Sequence, residues 1–161
     1  MKLHLGCGRK YLEGYINIDA KSDYAEIKAD LYHDNLMDIP GVEPSSVEEI
    51  LLVHVIEHLW PIDVPEHMAY WHYLLRKGGK LIIEAPDVDK LFSCDVKLEQ
   101  KVKWVYGHSP SRNCHDLHKG GWCYALLEPL LRQAGFSEVE EFAPQFHGQR
   151  TWRDFRVVAT K

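Results

Sequence analysis

Residues 2–20, KLHLGCGRKYLEGYINIDA, decide how this chain is read. Leu3 and Leu5 mark a short apolar strand. Gly6-Cys7-Gly8 is a turn, a brief loop follows, and Ile16 and Ile18 mark a second strand ending in Asp19. A strand running into Gly-x-Gly lets backbone approach a ligand that any Cβ would push away. A carboxylate at the tip of the next strand has two acceptor oxygens for the hydroxyls of a ribose. Together they describe a pocket for a nucleoside-bearing cofactor at the carboxyl ends of parallel strands.

The spacing narrows the cofactor. In the dinucleotide fingerprint G-x-G-x-x-G the turn opens a helix whose N-terminus faces a pyrophosphate. Here Tyr11 stands at the third glycine position, and residues 9–14 are too few for the usual crossover helix. The acid also arrives well short of the roughly 20-residue spacing of nicotinamide enzymes. A cofactor without phosphates needs no such helix end, and S-adenosylmethionine (SAM) is one.

Four segments, LHLGCG, GYINID, HVIEHL and LRKGGKLIIEAPD, together resemble the class I SAM-dependent methyltransferase superfamily. They are nearest its small bacterial and phage-type members with LGCG…GWxNVD…HVLEH. The resemblance runs from Lys2 to about Asp87, and the later LLRQAGF fits too. It implies a single domain over residues 1–161. The fold would be a doubly wound, mostly parallel seven-stranded Rossmann-like sheet of order 3-2-1-4-5-7-6, with the last strand antiparallel. SAM would lie between strands one and four. Asp19 would take the ribose, Gly6, Cys7 and Gly8 would run beneath the methionine end, and Asp30, or its rival Asp34, would meet the adenine. His54 would stand beside the transferable methyl. The links after strands one and two are too short for the superfamily's first helices, which are therefore expected to be trimmed away.

Composition sets outer limits. The chain has 161 residues, 45% hydrophobic and 27% charged, enough to bury a core as a globular protein. A net charge of -5 argues against a protein built to coat nucleic acid or an anionic membrane. No apolar run approaches a membrane span, and Gly6 and Gly8 interrupt any signal-peptide core, so a cytoplasmic location is expected. Cys7, Cys94, Cys114 and Cys123 form no CxxC pair and read as reduced thiols.

Further along, a short third strand is expected near residues 26–30 and a breaker-rich loop over 31–44. Val47–Val53 reads either as a buried strand or, with Ser46 and Glu49 as a capping box, as a helix. The resemblance favours the strand. Helices are expected over 63–75, 88–105 and 122–134, the last kinked or divided by Pro129. Strands are expected over 80–85, 136–142 and 153–160.

Three constellations carry chemistry. His54-Val55-Ile56-Glu57-His58 matches the H-x-x-E-H zinc pattern, which needs both histidines on one helix. It therefore offers an alternative, a zinc-dependent hydrolase. In the methyltransferase reading Glu57 and His58 merely cap and pack. The second constellation, His108, His115, Asp116, His118 and Lys119, is either a solvated loop or a cover over the acceptor. The third, Trp104, Tyr106 and Trp122, is either core or the wall of an apolar pocket. Methyl transfer is in-line displacement at an activated sulfonium, so orientation supplies most of the rate and a base is needed only if the acceptor must lose a proton. His118 is the first candidate base and His54 the second. The acceptor is expected to be a small molecule. A non-catalytic SAM-binding module, with a second copy or a partner protein on the surface left by the trimmed helices, is the remaining alternative.

Overall fold

A computed structural model describes residues 1–21, 26–107, 117–146 and 151–161. Its centre is β4 (Val47–Val53), whose continuous apolar run Ile50-Leu51-Leu52-Val53 suits a parallel strand covered on both faces. β1 (Lys2–Leu5) pairs parallel to one edge of it, and β5 (Leu75–Pro86) to the other. Outside β1 lie β2 (Ile16–Asp19) and then the two-residue β3 (Leu31–Tyr32), both parallel. Outside β5 lies β7 (Asp154–Thr160), antiparallel, and then β6 (Glu138–Phe142). The seven-stranded sheet has the order β3-β2-β1-β4-β5-β7-β6, as the resemblance implies.

The two faces of the sheet differ. One presents Leu3, Leu5, Ile18, Ile50, Leu52, Leu81, Ile83, Phe155 and Val157, all fully buried. On it pack Val64, Met68, Trp71 and Leu74 of α1 (Val64–Leu74) and Leu127 and Leu131 of α4 (Tyr124–Gln133). The other face has a smaller apolar cluster, Leu51, Val53 and Ile82, covered by Leu12, Tyr15 and Phe146 from loops. Between those residues it carries polar groups: Arg156 donates to Glu84 at 2.8 Å, and Tyr15 donates to Glu49. Trimming of the early helices leaves this face to loops. Neither β1–β2 nor β2–β3 is joined by a helix among the described residues.

Several boundaries move. Strand three begins at Leu31, after the expected 26–30; Asp30 just before it donates its backbone N–H to Asn17 O at 2.8 Å and turns its carboxylate to Asn17 N. α1 ends at Leu74, with Leu75 already extended, so β5 starts well before the expected Lys80. Asp63 caps α1 by position but without a side-chain hydrogen bond. The expected helix over 88–105 is two, α2 (Val88–Ser93) and α3 (Leu98–Tyr106). Their apolar residues do not form one core face: Leu91 is buried, but Leu98 and Val102 are exposed. α4 runs unbroken through Pro129, and its Leu126 is exposed. Residues 22–25, 108–116 and 147–150, including His108, Cys114, His115 and Asp116, lie outside the described residues. No helix among the described residues is long and apolar enough to cross a membrane.

Candidate active site

The first four parallel strands β1–β4 and their neighbour β5 all end at one edge, and of the sequence-predicted residues Gly6, Cys7, Gly8, Asp19 and His54 gather there, whereas Asp30 does not. Gly6 and Gly8 have φ of 65° and 53°, the left-handed region that favours glycine. The amides of Gly6 and Cys7 both reach Ile18 O, at 2.8 and 3.1 Å. Gly8 N donates to Asp19 Oδ2 at 2.6 Å. The acid at the tip of β2 therefore holds the glycine turn after β1. A Cβ on Gly6 would stand 2.4 Å from Val55 Cγ2, whereas one on Gly8 would meet nothing within 4 Å. Gly6 is thus needed for packing against the segment after β4, and Gly8 leaves open space above the turn. Cys7 is buried, and burial followed by the charge of Asp19 pushes its thiol up to about 12, so it stays protonated.

Asp30 lies at the amino end of β3. Its Oδ2 accepts from Asn17 N at 2.8 Å and its Oδ1 from Tyr11 OH at 2.8 Å, so its carboxylate braces the loop between β1 and β2. The rival acid Asp34 follows β3 and is exposed.

After β4 the chain turns sharply. His54 has φ 56°, an uncommon conformation for a residue with a side chain and the kind of strain that accumulates at functional sites. A 3-10 turn, Ile56–His58, follows. Because β4 is a strand, the helical reading of Val47–His58 fails, and His54 and His58 do not share a helix face. His54 instead faces a charged corner. Its Nδ1 lies 2.9 Å from Glu57 Oε1, and its Nε2 lies 3.4 Å from Asp154 Oδ2 and 3.1 Å from Arg153 Nη2. Arg153 grips Asp154 with bonds of 2.5 and 2.7 Å. Burial alone would lower the pKa of His54. The bonds to Asp154 and Glu57 outweigh it and raise the value to about 9. A neutral ring could accept from the guanidinium, but it would leave two buried carboxylates sharing one cation. The protonated ring balances the corner. Glu57 shows the reverse pattern: burial opposes its charge, yet the bond to His54 and the charge of His54 hold its pKa below the ordinary value.

His118 comes to the same corner from the far side of the chain. Its Nδ1 faces Trp104 O at 2.8 Å, and its ring lies edge-on to that of His58, with centroids 4.9 Å apart. Burial lowers its pKa, chiefly through desolvation, so the ring is neutral at pH 7. Lys119 N and Gly120 N donate to Glu57 O at 2.7 and 3.1 Å, which ties this segment to the turn after β4. A cavity of about 180 Å³ opens here, lined by Glu57, Val88, Leu91, Trp104, Tyr106 and His118 among others. Trp104 and Tyr106 thus wall a pocket, while Trp122 packs into the core. In the methyltransferase reading, sequence reasoning gave Glu57 only capping and packing, and it missed Arg153 and Asp154. Nothing in an Arg-Asp pair at the start of a last strand signals that it will reach a histidine after the fourth.

This sequence matches no family model and no curated protein. Solved structures do resemble it. An Archaeoglobus fulgidus SAM-dependent methyltransferase superposes with a TM-score of 0.70 at 16% identity, over 99% of this chain and 85% of that one. The phosphoethanolamine N-methyltransferase 2 of Haemonchus contortus, in complex with S-adenosylhomocysteine, gives a TM-score of 0.61 at 12% identity. That match covers 99% of this chain and 48% of that one, so this chain spans about half the length of that enzyme. The fold is that of the class I SAM-dependent methyltransferases.

Proposed function

We propose that the protein is a SAM-dependent methyltransferase acting on a small-molecule acceptor held in the cavity beside His118. The observation that carries this is the Asp19 carboxylate fixed to Gly8 N across the ends of β2 and β1. An ionised carboxylate has about four lone-pair sites, so Asp19 can hold the turn and accept from a ribose together. The open space above Gly8 leaves room for the methionine part of the cofactor. The cavity at the ends of β4 and β5 is the neighbouring place for an acceptor, with aromatic and aliphatic walls from Val88, Leu91, Trp104 and Tyr106 beside the polar Glu57 and His118.

In the reaction the acceptor's heteroatom attacks the methyl carbon, the carbon–sulfur bond breaks, and its electron pair stays on sulfur as S-adenosylhomocysteine. If the acceptor carries a proton, it passes to a base. His118 suits this better than His54: its ring is neutral, with Nδ1 committed to Trp104 O and Nε2 keeping the lone pair. His54, held protonated between two carboxylates, has no lone pair to offer. Its role is to keep Glu57 and Asp154 in place.

Calorimetry with SAM and with S-adenosylhomocysteine tests the reading. Saturable heat and a thermal shift with both are expected. Neither signal from folded protein at millimolar ligand would overturn it.

A further inference from the structure

We propose that Glu57, His58 and His118 form a binding site for one divalent first-row transition-metal ion at the mouth of the cavity. One ligand atom from each of the three lies within 4.8 Å of the others. Groups bound at about 2.0–2.1 Å to one tetrahedral ion stand about 3.4 Å apart, so side-chain movements of up to about 1.4 Å close the set.

Each member is prepared for this in a different way. Glu57 is 2% exposed; its Oε1 takes the His54 Nδ1–H, and its Oε2 is buried with no hydrogen-bond partner. A buried carboxylate oxygen left without a partner is costly, and a cation beside it removes the cost. His58 Nδ1 lies 3.2 Å from Leu117 O, and His118 Nδ1 lies 2.8 Å from Trp104 O. A carbonyl oxygen only accepts, so in each neutral ring Nδ1 carries the hydrogen and Nε2 keeps its lone pair. Metal-binding histidines are oriented in this way, by a backbone carbonyl on the second nitrogen. The bonds from Lys119 N and Gly120 N to Glu57 O hold the two contributing segments together.

Two imidazoles and one carboxylate suit zinc, manganese, iron, cobalt or nickel better than magnesium or calcium. Three protein ligands leave positions open, and here Glu57 and His118 both line the cavity. An acceptor oxygen entering the cavity could complete the coordination, which would orient it and ease loss of its proton. That consequence rests on the methyltransferase reading. The ion site itself does not, and the His118 lone pair would then serve as a ligand instead of a base.

The test uses full-length, untagged protein stripped with chelator, titrated with zinc against a chromogenic competitor and with cobalt by visible absorption. One equivalent should bind, with cobalt bands of a nitrogen–oxygen site. His58→Ala and His118→Ala should each weaken binding at least about 100-fold, more than the loss of a supporting group costs. Glu57→Gln should do the same; if that variant fails to fold, the two histidine variants carry the test. His72→Ala, a histidine packed on Phe136 away from the cluster, should change nothing. No binding tighter than micromolar in folded wild type overturns the proposal, as does an equal loss in His72→Ala. SAM calorimetry on the same stripped protein separates the readings: cofactor binding without metal binding sinks the metal site alone, and metal binding without cofactor binding sinks the methyltransferase reading alone.

Discussion

The glycine turn and the charged corner sit at the same edge of the sheet but are built in opposite ways. The turn joins two strands adjacent in sequence, and its key bond, Gly8 to Asp19, spans eleven residues. It relies on the absence of side chains. The corner brings His54 and Glu57 against Arg153 and Asp154, with His54 and Arg153 99 positions apart in the chain. It relies on buried charges that balance one another. A turn of the first kind can be read from a short motif. A corner of the second kind exists only once β7 has docked beside β5.

The difference predicts where the molecule is fragile. Arg153→Met should be the most damaging single change. It leaves Asp154, which is fully buried, to share the single cation of His54 with Glu57. Breaking a buried pair from one side costs about 3–5 kcal/mol. Urea denaturation measures it, and a loss below that of any turn variant would mean the corner is not the costlier construction.

Gly6→Ala should come next. Its φ of 65° and the 2.4 Å approach to Val55 Cγ2 both oppose a methyl group. Left-handed backbone costs about 1–2 kcal/mol and overpacking about 1–3, so a loss of about 2–5 kcal/mol, with its lower bound below that of Arg153→Met, is expected in the same assay. A neutral result would show that Val55 yields freely and that the two halves of the site are less rigidly joined than the contact implies.

The same contrast explains what was legible in the sequence. Gly6, Gly8 and Asp19 were readable because strand, turn and strand are local and each residue type has one physical reason to be there. The sheet order came with the resemblance of those motifs, which also favoured a strand over Val47–Val53 where the run ILLV alone left strand and helix open. His54 was readable only as a position after β4. Its partners were not, because strand pairing at long range decides which charges meet. The expected helix over 88–105 failed for a related reason: periodicity marks an apolar stripe but not whether anything covers it, and Leu98 and Val102 remain exposed.

On the ligand side, Asp19→Ala tests the turn without touching the corner. It removes the acceptor for Gly8 N and, in the proposed complex, the acceptor for the ribose. A charge-assisted bond is worth about 1.5–3 kcal/mol, so SAM affinity should fall at least about tenfold, or about 1.4 kcal/mol. Calorimetry on folded protein reads it. Unchanged affinity would detach Asp19 from the cofactor and leave it as a brace for the turn alone.

The smallest effect expected concerns His4, which lies buried in β1 beneath the turn, its Nδ1 3.1 Å from Asn17 Oδ1. Asn17 in turn receives Leu12 N and donates to Leu12 O, so this pair supports the loop between β1 and β2. Burial lowers the His4 pKa from its ordinary 6.5, more than the bond to Asn17 raises it. The folded chain therefore holds this ring neutral at a pH where the unfolded chain has begun to take up a proton. The stability this preserves is complete above about pH 6.5 and is lost as pH falls from there towards the lowered value. A single group contributes a slope of at most about 1.4 kcal/mol per pH unit. His4→Leu, which cannot titrate, should flatten the urea midpoint between pH 7 and 5 relative to wild type. Wild type and variant running parallel over that range would show that acid loosens the protein elsewhere than at the His4–Asn17 pair beneath the turn.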